Sequence, residues 1–101
     1  MKLDIKERLH LPEILPREGN FTTLVIKSDL LDKIKITQEE IKKYNITSEG
    51  NVVKWDIEKA EDIDIDFTEL ELKLIAESLE KLDLENKLTD YTFILYKKFK
   101  Q

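Results

Sequence analysis

The chain has no cysteine, two glycines, two prolines, two arginines and one histidine among its 101 residues. Without cysteine there is no disulfide, no thiolate metal site and no thiol nucleophile, so an apolar core must hold the fold, as suits a reducing cytoplasm. With His10 as the sole imidazole, a metal site of several histidines is impossible. A histidine-activated nucleophile would have to pair it with Ser28, Ser48 or Ser78, none of which lies in a nucleophile elbow. His10 between Leu9 and Leu11 reads instead as a structural residue. Gly19 and Gly50 lie too far apart to build a phosphate-cradling loop. No uninterrupted apolar stretch reaches signal-peptide or membrane-spanning length, which points to a cytoplasmic protein with no membrane partner. No cofactor is expected.

What the chain does have is charge. Charged residues make up 39% and apolar residues 41%, a mix still rich enough in Leu, Ile, Val and Phe for one core in a single domain spanning 1–101. The net charge of -5 is unevenly spread. Residues 1–55 hold 10 basic and 9 acidic side chains, residues 56–90 hold 4 lysines against 13 acids, and the last eleven carry three lysines and no acid. Phosphate contacts need a basic surface, so direct DNA binding is disfavoured, whereas the acidic block could mimic nucleic acid.

The spacing of apolar residues predicts a mostly helical α+β fold with a small antiparallel hairpin or three-stranded sheet in the middle of the chain. Helices are expected at about 5–15, 21–36, 38–44, 69–83 and 89–100, and strands at about 45–48, 51–56 and 62–67. Pro12 and Pro16 limit the first helix, and Pro16 to Asn20 is the clearest loop. Phe21, Leu24, Val25, Ile26, Leu30, Leu31 and Ile34 form a broad stripe that reads as a core helix. Thr37 to Glu40 and Thr68 to Glu71 both fit the capping box, in which the threonine oxygen and the glutamate carboxylate each accept an otherwise free backbone N–H. Leu70, Leu74, Ile75, Leu79 and Leu82 mark the inner face of the helix after the second box, and Thr89 can cap the last one. Glu49-Gly50-Asn51 supplies hairpin-turn chemistry. Asp62 to Phe67 alternates, with Ile63, Ile65 and Phe67 facing one way and three aspartates the other. The Asn-x-Thr triplets at Asn20 and Asn45 read as chance.

Few constellations carry chemistry. Asp62, Asp64 and Asp66 are spaced like the start of a calcium loop, but Phe67 stands where such a loop needs glycine and Lys73 where it needs glutamate. They read as a solvated strand face, and no metal is expected. Arg8 and Arg17, the only arginines, both lie in the proline-containing N-terminal segment near His10, Asn20, Thr22 and Thr23. Arginine's planar fork suits phosphate or carboxylate, so this segment is the first place to seek a charged ligand, with Trp55 or Tyr91 available to stack on a base. Tyr91, Leu95 and Phe99 form a row along the last helix, while Phe93 and Tyr96 fall outside it. Apolar side chains nearly all round predict a second contact, with Phe93, Tyr96 and Phe99 as interface candidates and a homo-oligomer as one outcome.

Lys6-Glu-Arg-Leu9, Ile14-Leu-Pro16, Glu18-Gly-Asn20, Thr37-Gln-Glu-Glu-Ile41, Val53-Lys-Trp55, Lys81-Leu-Asp83, Lys87-Leu-Thr89 and Leu95-Tyr-Lys-Lys-Phe99 together give the chain a whole-length pattern. It resembles small uncharacterised proteins of tailed bacteriophages and prophages. That resemblance implies an accessory role in a bacterial host cell and no catalytic residues. The expected function is non-catalytic binding: a counter-defence inhibitor or sponge for a host immune component or a cyclic-nucleotide signal. Alternatives are a virion-assembly or structural interaction protein, and an acidic nucleic-acid mimic.

Overall fold

Each helix begins where a short polar side chain closes its first turn. In the computed structural model, which describes residues 1–100, five helices and two short strand pairs run in the order β1 (Lys2–Leu3), α1 (Ile5–Ile14), α2 (Phe21–Ile34), α3 (Gln38–Lys43), β2 (Thr47–Glu49), β3 (Val52–Lys54), β4 (Ile63–Asp64), α4 (Glu69–Leu84) and α5 (Asp90–Lys100). Asp4, Asn20, Thr37, Thr68 and Thr89 each accept a backbone N–H from three residues ahead. The two capping boxes expected at Thr37 and Thr68 form, and Asp4 with Glu7 forms a third. Helices α3 and α4 stop at asparagines in the left-handed conformation, Asn45 at φ 52° and Asn86 at φ 57°. There the N–H of Ile46 reaches the carbonyl of Ile41 and that of Lys87 the carbonyl of Leu82, the six-to-one bond of a Schellman stop. Asn20 and Asn45 thus both serve as helix punctuation. Pro12 does not interrupt α1; it occupies the last turn, and the helix ends two residues later.

The mostly helical α+β architecture is as expected, but the strands pair differently. β2 and β3 form a hairpin with Glu49 opposite Val52, turned by Gly50 at φ 59° and Asn51. The strand foreseen over 62–67 is reduced to Ile63–Asp64, and it pairs antiparallel with β1, not with the hairpin. The Ile65 N–H extends that contact to the Met1 carbonyl at 2.8 Å. A two-residue strand is too short to show a period, which is why β1 left no trace in the sequence pattern. The alternation itself survives: Ile65 is buried and Ile63 and Phe67 are half-buried, while Asp62, Asp64 and Asp66 face solvent.

Helix α4 lies at the centre, packed on α2, α5 and α1. Leu3, Leu11, Leu15, Leu30, Ile34, Ile65, Ile75, Leu79, Leu95 and Phe99 form one cluster around it. Each fully buried Leu or Ile contributes about 1.5–3 kcal/mol relative to exposure. Phe99, an interface candidate from the sequence, belongs to this core and meets the Phe67 ring edge-on at 5.9 Å. The broad stripe on α2 is also only partly covered. Leu30 and Ile34 are buried and Phe21, Leu24 and Val25 are exposed, as is Leu70 on α4. Apolar residues almost encircle α2, so periodicity alone could not say which side α4 would cover.

Cations from distant elements end on the capping boxes. Lys98 of α5 donates to Glu7 at 2.9 Å, Arg8 of α1 to Glu40 at 2.8 Å, and Lys33 of α2 to Glu71 at 2.6 Å. Each of these glutamates is the third residue of its helix and also accepts the N–H of its own cap residue. One carboxylate therefore closes a helix start and ties it to another element. The Arg8 hydrogen bonds pull the Glu40 carboxyl from 4.5 to about 2, outweighing the burial that alone would raise it. Around Glu71, burial acts to raise the pKa, and Lys33 with the Thr68 N–H overcomes it and lowers it.

Replacing Arg8 strands a carboxylate and two carbonyls, so Arg8→Ala is expected to cost about 3–5 kcal/mol, a fall of ~12 °C or more in Tm for a domain of this size. Because the pKa of Glu40 is depressed, its contribution is present above pH 4.5 and is lost as pH falls towards 2. Urea melts across that window should show the wild type losing about 1–2 kcal/mol more than Glu40→Gln, the figure being reduced by solvent screening of a partly exposed carboxylate. Identical acid profiles would remove Glu40 from this role.

Candidate functional site

Arg8, the strongest ligand candidate by residue type, is 3% exposed. Its Nε donates to the Ile34 carbonyl at 3.1 Å, one Nη to the Lys35 carbonyl at 2.7 Å, and both Nη atoms to Glu40. Four of its five N–H groups are thereby used inside the fold, and the fork holds the end of α2 against the start of α3. Arg17 lies on the exposed loop before α2 and makes no ion pair among the described residues. Asn20 is occupied as a cap, with Thr23 N–H bonded to its side chain at 2.8 Å. Thr22 is exposed, and Thr23 lines a shallow depression of about 180 Å³ between α2 and α4 with Ile26, Leu70 and Leu74. The five polar candidates do not converge on one pocket.

The two aromatic candidates lie on either side of Lys6. Tyr91 is half-buried at the start of α5, its ring 4.3 Å from that of His10 and its face 4.8 Å from the Lys6 ammonium. His10 Nδ1 faces Glu13 at 3.2 Å, and Ser78 Oγ donates to the Leu74 carbonyl. Trp55 follows β3 and walls a groove of about 310 Å³. Its apolar lining comes from Ile5, Trp55, Ala60 and the exposed Ile57, and its charged lining from Asp4, Lys6, Glu61 and Asp62. An anionic ligand entering here would face three carboxylates, while the Lys6 ammonium is turned onto Tyr91.

A second cleft, of about 270 Å³, opens where α5 meets the end of α4. It brings together the interface candidates Phe93 and Tyr96 with Leu88, Lys97 and Lys100, and has Asp83 at its edge. Lys97 lies 5.5 Å from the Phe93 centroid and Lys100 5.2 Å from that of Tyr96, so the lysine stems run along the rings. Phe93 is 52% exposed and Ile94 60%. A third apolar place is the outer face of the first two turns of α2. Phe21 is 84% exposed there, with Leu24 and Val25 on the same side, one turn on.

Sequence reasoning found Phe93, Tyr96 and Trp55 but missed their surroundings. Lys97 and Lys100 read as a helix end complementing its dipole. Ile57, Glu61 and Asp62 lie in a stretch with no helical period, and Phe21 and Leu24 read as core. The alternation at Asp62 was the nearest available signal. Among the described residues no three His, Cys, Asp or Glu side chains converge as metal ligands, and no helix is long and apolar enough to cross a membrane. Asp64 faces the Met1 amino group at 2.8 Å, while Asp62 lines the Trp55 groove. Compared with protein-family models, curated proteins and solved structures, the chain matches none of them significantly.

Burial, reinforced by the negative charges of Asp4, Glu7 and Glu13, pushes Tyr91 up to about 12. The raised pKa makes the stabilising contribution of the neutral phenol complete below pH 10 and lost as pH rises through about 12. Difference absorbance of phenolate formation should resolve one late-titrating tyrosine that is missing in Tyr91→Phe. A high-pH titration that Tyr91→Phe leaves unchanged would contradict this placement.

Proposed function

We propose that this chain is a non-catalytic accessory protein that acts by docking on another protein, as an inhibitor or sequestering factor of the kind encoded by small phage genes. The observation that carries the reading is the outer face of α2. A phenylalanine 84% exposed, flanked by Leu24 and Val25 and turned away from the core, gains nothing for an isolated domain. Aromatic side chains held on a rigid helix are the usual anchors of protein interfaces, because they bury much area at little entropic cost.

Two further features favour a protein partner over a nucleotide signal. Arg8 has four of its five N–H groups engaged within the fold, and Trp55 stands in a groove where three carboxylates, against one lysine, disfavour phosphate. The pairing of His10 with Glu13 and Tyr91 gives the lone imidazole a structural role, in keeping with a protein that binds without reacting. The resemblance to tailed-phage proteins supports a partner in the bacterial host.

Phe21 is the first residue of α2, where an aspartate would favour the positive end of the helix dipole. Phe21→Asp with Leu24→Asp should therefore keep the melting temperature within a few degrees. A photo-crosslinking residue at position 25 in the otherwise wild-type chain should trap one host protein in infected cells. The double variant should weaken that complex at least tenfold, by titration with the purified partner. Undiminished affinity would exclude α2 as the docking face. Thermal stabilisation by cyclic di- or oligonucleotides would restore the nucleotide reading in its place.

A further inference from the structure

The Trp55 groove is lined by the carboxylates of Asp4, Glu61 and Asp62 with one cation, Lys6, and the α5 cleft by Lys97 and Lys100 with one carboxylate, Asp83, so the two carry opposite net charge beside apolar side chains. Asp4, Glu61 and Asp62 on the groove rim form no ion pair among the described residues, and neither do Lys97 and Lys100. Phe93, Lys97 and Lys100 recur at steps of four and three, so they form one ridge along α5. The ridge cannot reach the groove of its own molecule. Tyr91 and Lys98, on the other side of α5, are the residues that touch Lys6 and Glu7 of α1, and the first turn of α1 is one wall of the groove.

We propose that a second copy of this chain lays the Phe93, Lys97 and Lys100 ridge of its α5 into the groove lined by Ile5, Trp55 and Ile57, with its lysines meeting Asp4, Glu61 and Asp62. This is a helix-in-groove contact in which the aromatic ring supplies the buried area and the lysines set the register. The two surfaces differ, so the contact is head-to-tail and leaves one free groove and one free ridge at the ends of each assembly. A groove of about 310 Å³ holds little more than one large side chain, so the association is weak and salt-sensitive. It involves faces other than the outer side of α2. The Phe21 and Leu24 double variant leaves it intact, and the two proposals fail independently.

Sedimentation velocity on the full chain tests this. At roughly 100 µM protein and low salt the wild type should sediment as a concentration-dependent oligomer, and about 0.5 M salt should return it to monomer. Glu61→Gln with Asp62→Asn removes most of the groove's negative charge, and Lys97→Glu with Lys100→Glu reverses the ridge. All four side chains are exposed, so circular dichroism should show both variants folded. Each alone should be monomeric, with association weakened at least tenfold. Their equimolar mixture should form a discrete heterodimer and nothing larger, because each variant keeps the half that the other lacks. A wild type that stays monomeric throughout would assign the groove to a basic partner from elsewhere and overturn the proposal. So would a mixture of the two variants that fails to pair, or a ridge variant that associates like the wild type.

Discussion

A single guanidinium holds three helices in register. Arg8 comes from the first turns of α1, yet its hydrogen bonds end on the last carbonyls of α2 and on the glutamate that opens α3. The orphaned carbonyls at a helix end and the free carboxylate at a helix start both need donors, and a planar fork can serve both together. Burying a full positive charge would be prohibitive without this complete set of partners. With it, the Leu15 to Asn20 loop and the short link to α3 are held at both ends, and α2 is presented to α4 in one orientation.

The same device recurs twice in weaker form. Lys98 closes α5 onto α1 through Glu7, and Lys33 closes α2 onto α4 through Glu71. In each case a capping-box glutamate carries a local and a long-range duty, so the charge that ends one backbone fault also fixes a neighbouring element. A chain with 39% charged residues and no cysteine can thereby build specificity into polar contacts, while the apolar cluster around α4 supplies most of the stabilisation. The remaining carboxylates and lysines stay outside. There they sort into an acidic rim by Trp55 and a basic ridge on α5, each bordering apolar side chains that the core does not need.

What the molecule presents to others follows from where the core stops. Helix α4 covers Leu30 and Ile34 in the second half of α2 and leaves the outer side of its first two turns bare. Phe99 turns inward against Phe67, whereas Phe93, six residues earlier, turns outward beside Lys97. The candidate surfaces therefore sit at the margins of packing, where apolar side chains left over from the core meet charged ones.

The helices, their caps and the Gly50 hairpin were determined by the sequence by itself, because each depends on interactions within a few residues: a threonine or aspartate oxygen reaching three residues ahead, or a glycine at positive φ. The alternation at Ile63, Ile65 and Phe67 was equally local. Only the tertiary structure decided that Arg8 is interior and not a ligand's partner, that Phe21 is exposed and Phe99 buried, and that β4 pairs with the start of the chain. Those outcomes depend on which surface lies opposite, and an apolar residue carries the same pattern whether a neighbouring helix covers it or water does. The physical reason is that burial belongs to a pair of surfaces, whereas a cap belongs to one turn of chain.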